Sequence, residues 1–157
     1  HFAIYRYCLF SYEPTKDMCG IVGSINTNWR NDPLNSLAHR GPDSQGSINL
    51  QNVYLGHTRL SIQDLSSLGN QPMQSPDSRF TLVYNGEIYN HWQIRKDLIK
   101  KGYTFNSTSD TETLMCSWVE WGQDAIKHFN GIFAFSIFDK KENKLFVDIT
   151  ILAGFCR

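Results

Sequence analysis

Between residues 20 and 147, apolar and polar positions recur in short runs with two different periods. Gly20–Ile25 (GIVGSI) is an apolar run with two glycines, the pattern of a buried strand. Residues 47–50 and 53–58 flank Gln51-Asn52 and predict a hairpin. Residues 80–84 predict a strand that runs into Asn85-Gly86, a dipeptide that marks a turn. The period then lengthens. Residues 90–101 predict a helix, with Asn90 as N-cap, Ile94 and Leu98 on one face, and Gly102 just past the end. Ser109-Asp110-Thr111-Glu112 has the form of a capping box. The helix it opens sets Leu114, Met115, Trp118 and Val119 on one stripe and stops at Gly122. Residues 124–129 predict a shorter helix ending at Asn130-Gly131. Residues 132–138 and 145–147 predict a second hairpin around a charged turn. Strands, then helices, then strands indicate a layered α+β domain rather than alternating βαβ units.

Composition narrows the class. A chain of 157 residues is one domain's length, enough to bury roughly 70% of the unfolded surface. At 41% hydrophobic and 13% aromatic it carries the apolar content of a folding chain. Fifteen basic residues balance fifteen acidic ones, which argues against nucleic acid as a partner, since that needs a basic stripe. No apolar run reaches the roughly 20 residues of a membrane helix, so no membrane partner is expected. Cys8, Cys19, Cys116 and Cys156 form no CxxC pair, and the expected setting is reduced and cytoplasmic. Residues 1–17 are aromatic, interrupted by Arg6, and lack a small-residue cleavage site, so they do not read as a secretory signal. Met18-Cys19-Gly20 has the form of a translation start. Residues 1–17 are then either upstream sequence translated in frame or a pro-segment whose removal exposes Cys19.

Cys19 is the first chemical candidate. Exposed at a chain start, it would carry a thiol nucleophile and an α-amino base of suitable pKa on one residue. The competing reading is a small buried cysteine at a strand start. Arg59, in Gly56-His57-Thr58-Arg59-Leu60-Ser61-Ile62, can clamp a carboxylate bidentately or form a surface ion pair. Asn85-Gly86-Glu87 can supply an amide and a backbone N–H as an oxyanion hole, or simply be a tight turn. Asp110 sits at a helix N-terminus, where it can hold an ammonium or belong to the cap. His39-Arg40-Gly41-Pro42-Asp43 is a turn-rich loop. Arginine for a carboxylate, aspartate for an ammonium, and a thiolate with oxyanion donors for an amide together describe glutamine or a close relative such as asparagine.

Six motifs then occur in order: Met-Cys-Gly-Ile-Val-Gly, His-Arg-Gly-Pro-Asp-Ser-Gln-Gly, Gly-His-Thr-Arg-Leu-Ser-Ile, Gly-Asn-Gln-Pro-Met, Asn-Gly-Glu-Ile-Tyr-Asn and Ser-Asp-Thr-Glu. This set resembles the class II glutamine amidotransferase domain of glutamine-hydrolysing asparagine synthetases, over residues 19–147. Pro42, the Leu-Ser-Ile after Arg59, and Glu87-Ile88-Tyr89-Asn90 are similar to that branch rather than to the glucosamine-phosphate synthase or purine branches. The short stretch between Cys19 and His39 is similar to synthetase-like members encoded with surface-polysaccharide genes. The resemblance implies a four-layer αββα sandwich of the N-terminal nucleophile hydrolase class. It implies Cys19 as nucleophile with its own amine as base, and Asn85 and Gly86 as oxyanion hole. Arg59 would bind the glutamine carboxylate, Leu60, Ser61, Ile62 and Gln63 would complete that segment, and Glu87 and Asp110 would hold the amino and amide ends.

The implied half-reaction is glutamine plus water to glutamate plus ammonia through a γ-glutamyl thioester. It needs no metal or cofactor in this segment. ATP and Mg²⁺ are expected in a C-terminal synthetase domain, normally in the same chain, where aspartate is activated; the full-length protein is a candidate homodimer. From Asp148 the sequence departs from the family pattern, so residues 148–157 are expected to be a non-matching tail and the domain incomplete at its C-terminus. Two alternatives follow: a catalytically silent fragment that at most binds glutamine, or an amidotransferase serving another acceptor such as a sugar.

Overall fold

The computed structural model describes residues 19–27, 29, 31–60 and 69–150. Two antiparallel sheets organise them. The first contains β1 (Gly20–Ile25), β2 (Ser44–Leu50) and β3 (Val53–Arg59) in the order β1-β3-β2. The second contains β4 (Met73–Gln74), β5 (Phe80–Ile88), β6 (Gly131–Asp139) and β7 (Lys144–Ile149), each beside the next. Helices α1 (His91–Lys100) and α2 (Asp110–Trp121) follow β5, and a 3₁₀ helix spans Gly122–His128.

Side-chain alternation assigns the layers. Ile21, Val53, Leu55, Val83 and Phe138 pack together, so alternate positions of β1, β3, β5 and β6 fill the space between the sheets. The opposite face of β5 and β6 presents Leu82, Tyr84, Phe133, Phe135 and Ile137 to Ile94 and Leu98 of α1 and Leu114, Met115 and Trp118 of α2. The outer face of the first sheet carries Val22 and Tyr54, covered by Leu34 and Leu37 in and after a 3₁₀ turn at Pro33–Ser36. The layers thus run from that turn through two sheets to the helices. This is the α+β sandwich order expected, with the outermost layer among the described residues reduced to one 3₁₀ turn.

Several local expectations change. Asn85-Gly86 does not turn the chain; β5 runs through it to Ile88, paired with β6 along its whole length. β2 begins at Ser44 and β7 extends to Ile149, longer than the pattern suggested. Ser109 caps α2 by accepting from Thr111 N, but Glu112 does not close a capping box. Its carboxylate accepts from the Asn106 and Ser107 N–H groups and from the Ser107 hydroxyl. Val119 is exposed rather than on the buried stripe, and the helix expected over 124–129 is the 3₁₀ segment Gly122–His128. Asn90 is at the N-cap position of α1 without a side-chain capping bond; its amide instead bonds His128 O and Asn130 N.

Candidate active site

Two clusters form at the ends of the facing strands. In the first, Cys19 immediately precedes β1, which pairs antiparallel with β3 so that Gly20 lies opposite Thr58. This register brings the thiol to the end of β3. Leu60 N donates to Cys19 Sγ at 3.3 Å, and Sγ lies 3.5 Å from Leu60 O. The 40–43 loop folds over the same strand end. Arg40 Nε donates to Cys19 O at 3.3 Å, Asp43 N donates to Arg59 O at 3.1 Å, and Pro42 bridges to Arg59. Burial pushes the Cys19 thiol pKa up, while the Leu60 N–H and the Arg59 and Arg40 guanidinium groups favour the thiolate. Burial prevails, so this thiol needs a base to react at neutral pH.

Arg59 is itself buried, and its Nη1 donates to Asn70 Oδ1 at 2.8 Å. His57 lies two positions earlier on the same face, 1% exposed, and its Nε2 has no hydrogen-bond partner among the described residues. Burial and the Arg59 charge push its pKa down to about 4. Sequence reasoning passed over His57; only the alternation that places it beside Arg59 on an inward face signals it.

The second cluster surrounds Asn85-Gly86-Glu87. Asn85 shares the parity of Val83, towards the first sheet. The even-numbered N–H groups of β5 point away from β6, and four of the five meet different acceptors. Phe80 N donates to Ser75 Oγ, Leu82 pairs with Met73 of β4, Tyr84 N donates to Gln71 Oε1 at 2.5 Å, and Ile88 N donates to Asp110 Oδ2 at 3.0 Å. Gly86 N–H points to the same edge between the last two, and no described residue accepts from it. Opposite, the Phe133 carbonyl is taken by Thr150 N–H from the β7 side.

Gly86 holds φ at 147°, a conformation favoured only in glycine. A Cβ there would lie 2.3 Å from Ile132 O. Asp110 at the start of α2 is buried, and Oδ2 also accepts from the Tyr84 hydroxyl at 2.5 Å. Burial first, and then the Asp110 charge, drive the Tyr84 pKa far up. Glu87 is exposed at the rim.

Of the candidate residues, Cys19, Arg59 and Leu60 therefore form one group, and Asn85, Gly86, Glu87 and Asp110 another. Ser61, Ile62 and Gln63 lie outside the described residues. The segment 69–72 joins the groups, with Asn70 on Arg59 and Gln71 on Tyr84. The sequence offered no chemical reason to single out Gln71.

The chain matches the family described as glutamine amidotransferase domain over residues 18–149. It is 39% identical over 139 residues to asparagine synthetase [glutamine-hydrolyzing] 3 of Bacillus subtilis, covering 82% of this chain and 22% of that protein. It is 36% identical over 135 residues to a probable asparagine synthetase [glutamine-hydrolyzing] of Dictyostelium discoideum, covering 80% of this chain and 24% of that protein. The chain thus spans under a quarter of the length of these relatives. A solved glutamine phosphoribosylpyrophosphate amidotransferase from B. subtilis aligns over 57% of this chain and 21% of its own, at 23% identity and a TM-score of 0.48. Among the described residues, no helix is long and apolar enough to cross a membrane.

Proposed function

The chain belongs to the glutamine amidotransferase domain family, and from that premise we propose that it is the glutaminase part of a glutamine-hydrolysing asparagine synthetase. The observation that carries the reading is the Cys19 thiol seated against Leu60 N, next to the Arg59 guanidinium. Arg59 takes the glutamine α-carboxylate. Glu87 and Asp110 hold its amino and amide ends.

The Cys19 α-amine, once free, removes the thiol proton. Sγ attacks the side-chain amide carbon, and its carbonyl oxygen becomes an oxyanion. The Gly86 N–H, which no described residue occupies, and the Asn85 amide are the donors for that charge. The C–N bond then breaks, the leaving nitrogen takes the proton back, and ammonia departs. Water cleaves the γ-glutamyl thioester, releasing glutamate and restoring the thiol. The raised thiol pKa supports a mechanism with its own local base. An N-terminal amine serves only when it is not an amide, so the active protein begins at Cys19.

In the longer protein, ammonia passes to a synthetase domain of the same chain, where ATP and Mg²⁺ support amidation of aspartate. The names of the relatives favour this acceptor over a sugar. The test is glutamate release from glutamine by protein whose intact mass gives Cys19 as first residue. Cys19→Ala abolishes release. Asn85→Ala lowers turnover about 10²–10³-fold, the scale of one oxyanion donor. Normal release by Cys19→Ala refutes the mechanism.

A further inference from the structure

Gln71 occupies a position on the β5 edge that no described strand covers. β4 pairs with β5 at Leu82 and Thr81, and among the described residues the β5 edge has no backbone partner from Tyr84 onward. The 8%-exposed Gln71 side chain fills the first vacant position. Its Oε1 accepts from Tyr84 N at 2.5 Å, and its Nε2 donates to Thr111 Oγ1 at 3.4 Å in the first turn of α2. One side chain therefore ties β5 one residue before Asn85 to α2 one residue after Asp110. From the same chain segment, Asn70 holds Arg59 and accepts from the Ser44 hydroxyl. The segment is fitted closely against β2: a Cβ at Gly46 would lie 2.3 Å from Gln71 O.

We propose that Gln71 is a positioning residue for the oxyanion donors. It acts as a one-residue substitute strand that satisfies Tyr84 N–H and α2 while leaving Gly86 N–H uncovered among the described residues. A continued backbone strand at this edge would place a carbonyl opposite Gly86 and consume the donor. A side chain ends after one bond. Without Gln71, the Tyr84 peptide is buried and unsatisfied, and the β5 edge shifts to find a partner. Asn85 and Gly86 lie on the next two peptides, so the shift is transmitted to both donors. This inference rests on the glutaminase reading for its kinetic consequence but not for its structural one.

Two measurements on Gln71→Ala, in protein processed to begin at Cys19, separate them. The first is amide exchange: Tyr84 N–H exchanges about tenfold faster, the scale of one lost hydrogen bond, while the amides that bond β6, such as Val83 N–H, hold. The second is glutamine hydrolysis per alkylatable Cys19: kcat falls about 10- to 100-fold, with KM within about twofold, as expected for misplaced transition-state donors. Thr111→Val removes only the acceptor of Nε2. It gives a smaller loss of the same kind, and decides the question should Gln71→Ala fail to fold. Unchanged Tyr84 exchange overturns the proposal whatever the activity. Loosened exchange with unchanged kcat, or a rise in KM alone, overturns it too. If the parent protein hydrolyses no glutamine, the glutaminase reading fails while the exchange result still decides whether Gln71 holds the edge.

Discussion

His57 makes the stability of this domain depend on pH in a calculable way. Its imidazole is buried between the sheets, its Nε2 has no partner among the described residues, and its pKa is pushed down to about 4 by burial and by Arg59. In the unfolded chain it titrates near 6.5. The folded state therefore binds the proton more weakly than the unfolded state. The contribution is fully present above pH 6.5 and is lost as pH falls towards 4. Between pH 7.5 and pH 5 this one group removes about 2 kcal/mol, and below pH 4 about 3 kcal/mol.

His57→Leu removes the titration while keeping an apolar group in the layer of Leu55 and Val83. Urea unfolding of both proteins at pH 7.5, 6 and 5 gives midpoints at constant m. Wild type loses stability steeply over this range and the variant only through other groups. His91, whose pKa is also lowered by burial, adds a smaller slope of the same sign to both. Parallel curves for wild type and variant would refute the reasoning, because His57 would then be as easily protonated folded as unfolded.

Three further outcomes are expected. The Tyr84 hydroxyl and Asp110 carboxylate form a buried charge-assisted hydrogen bond at 2.5 Å. A double-mutant cycle with Tyr84→Phe and Asp110→Asn should give a coupling of about 1.5–3 kcal/mol in urea unfolding; a value near zero sinks the pairing. Arg40→Met removes a charge that favours the Cys19 thiolate, so the pH profile of Cys19 alkylation by iodoacetamide moves upward; a downward or absent shift contradicts the electrostatic assignment. Gly86→Ala combines a φ that disfavours side chains with a contact against Ile132 O. It should cost at least about 2 kcal/mol by thermal unfolding, and a neutral variant would disprove the constrained backbone.

Most strands were legible because burial here alternates cleanly, as in Ile21, Val53, Leu55 and Val83 of the inter-sheet core, whereas the layer order came from the resemblance carried by the six motifs. The candidate residues were legible as chemistry but not as geometry. Asn85-Gly86 carries the commonest turn signature, yet it lies inside a nine-residue strand. The reason is on β6: Ala134 and Phe133 face the dipeptide in unbroken register, and Phe138, Ile137 and Phe135 anchor the pairing in both cores. Burial on both faces of the β5–β6 pair outweighs the local preference for a turn. The positive φ is retained, within a strand, as a local distortion beside an open edge. Gln71 stands in the Gly-Asn-Gln-Pro-Met motif, but its role was illegible for the complementary reason. A glutamine between Asn70 and Pro72 has no period and no charge to mark it, and its function follows from β4 being two residues long. A longer β4 would have covered Gly86 as well as Tyr84. The shortness of that strand and the side chain that compensates for it are therefore one device, visible only once the sheet order is known.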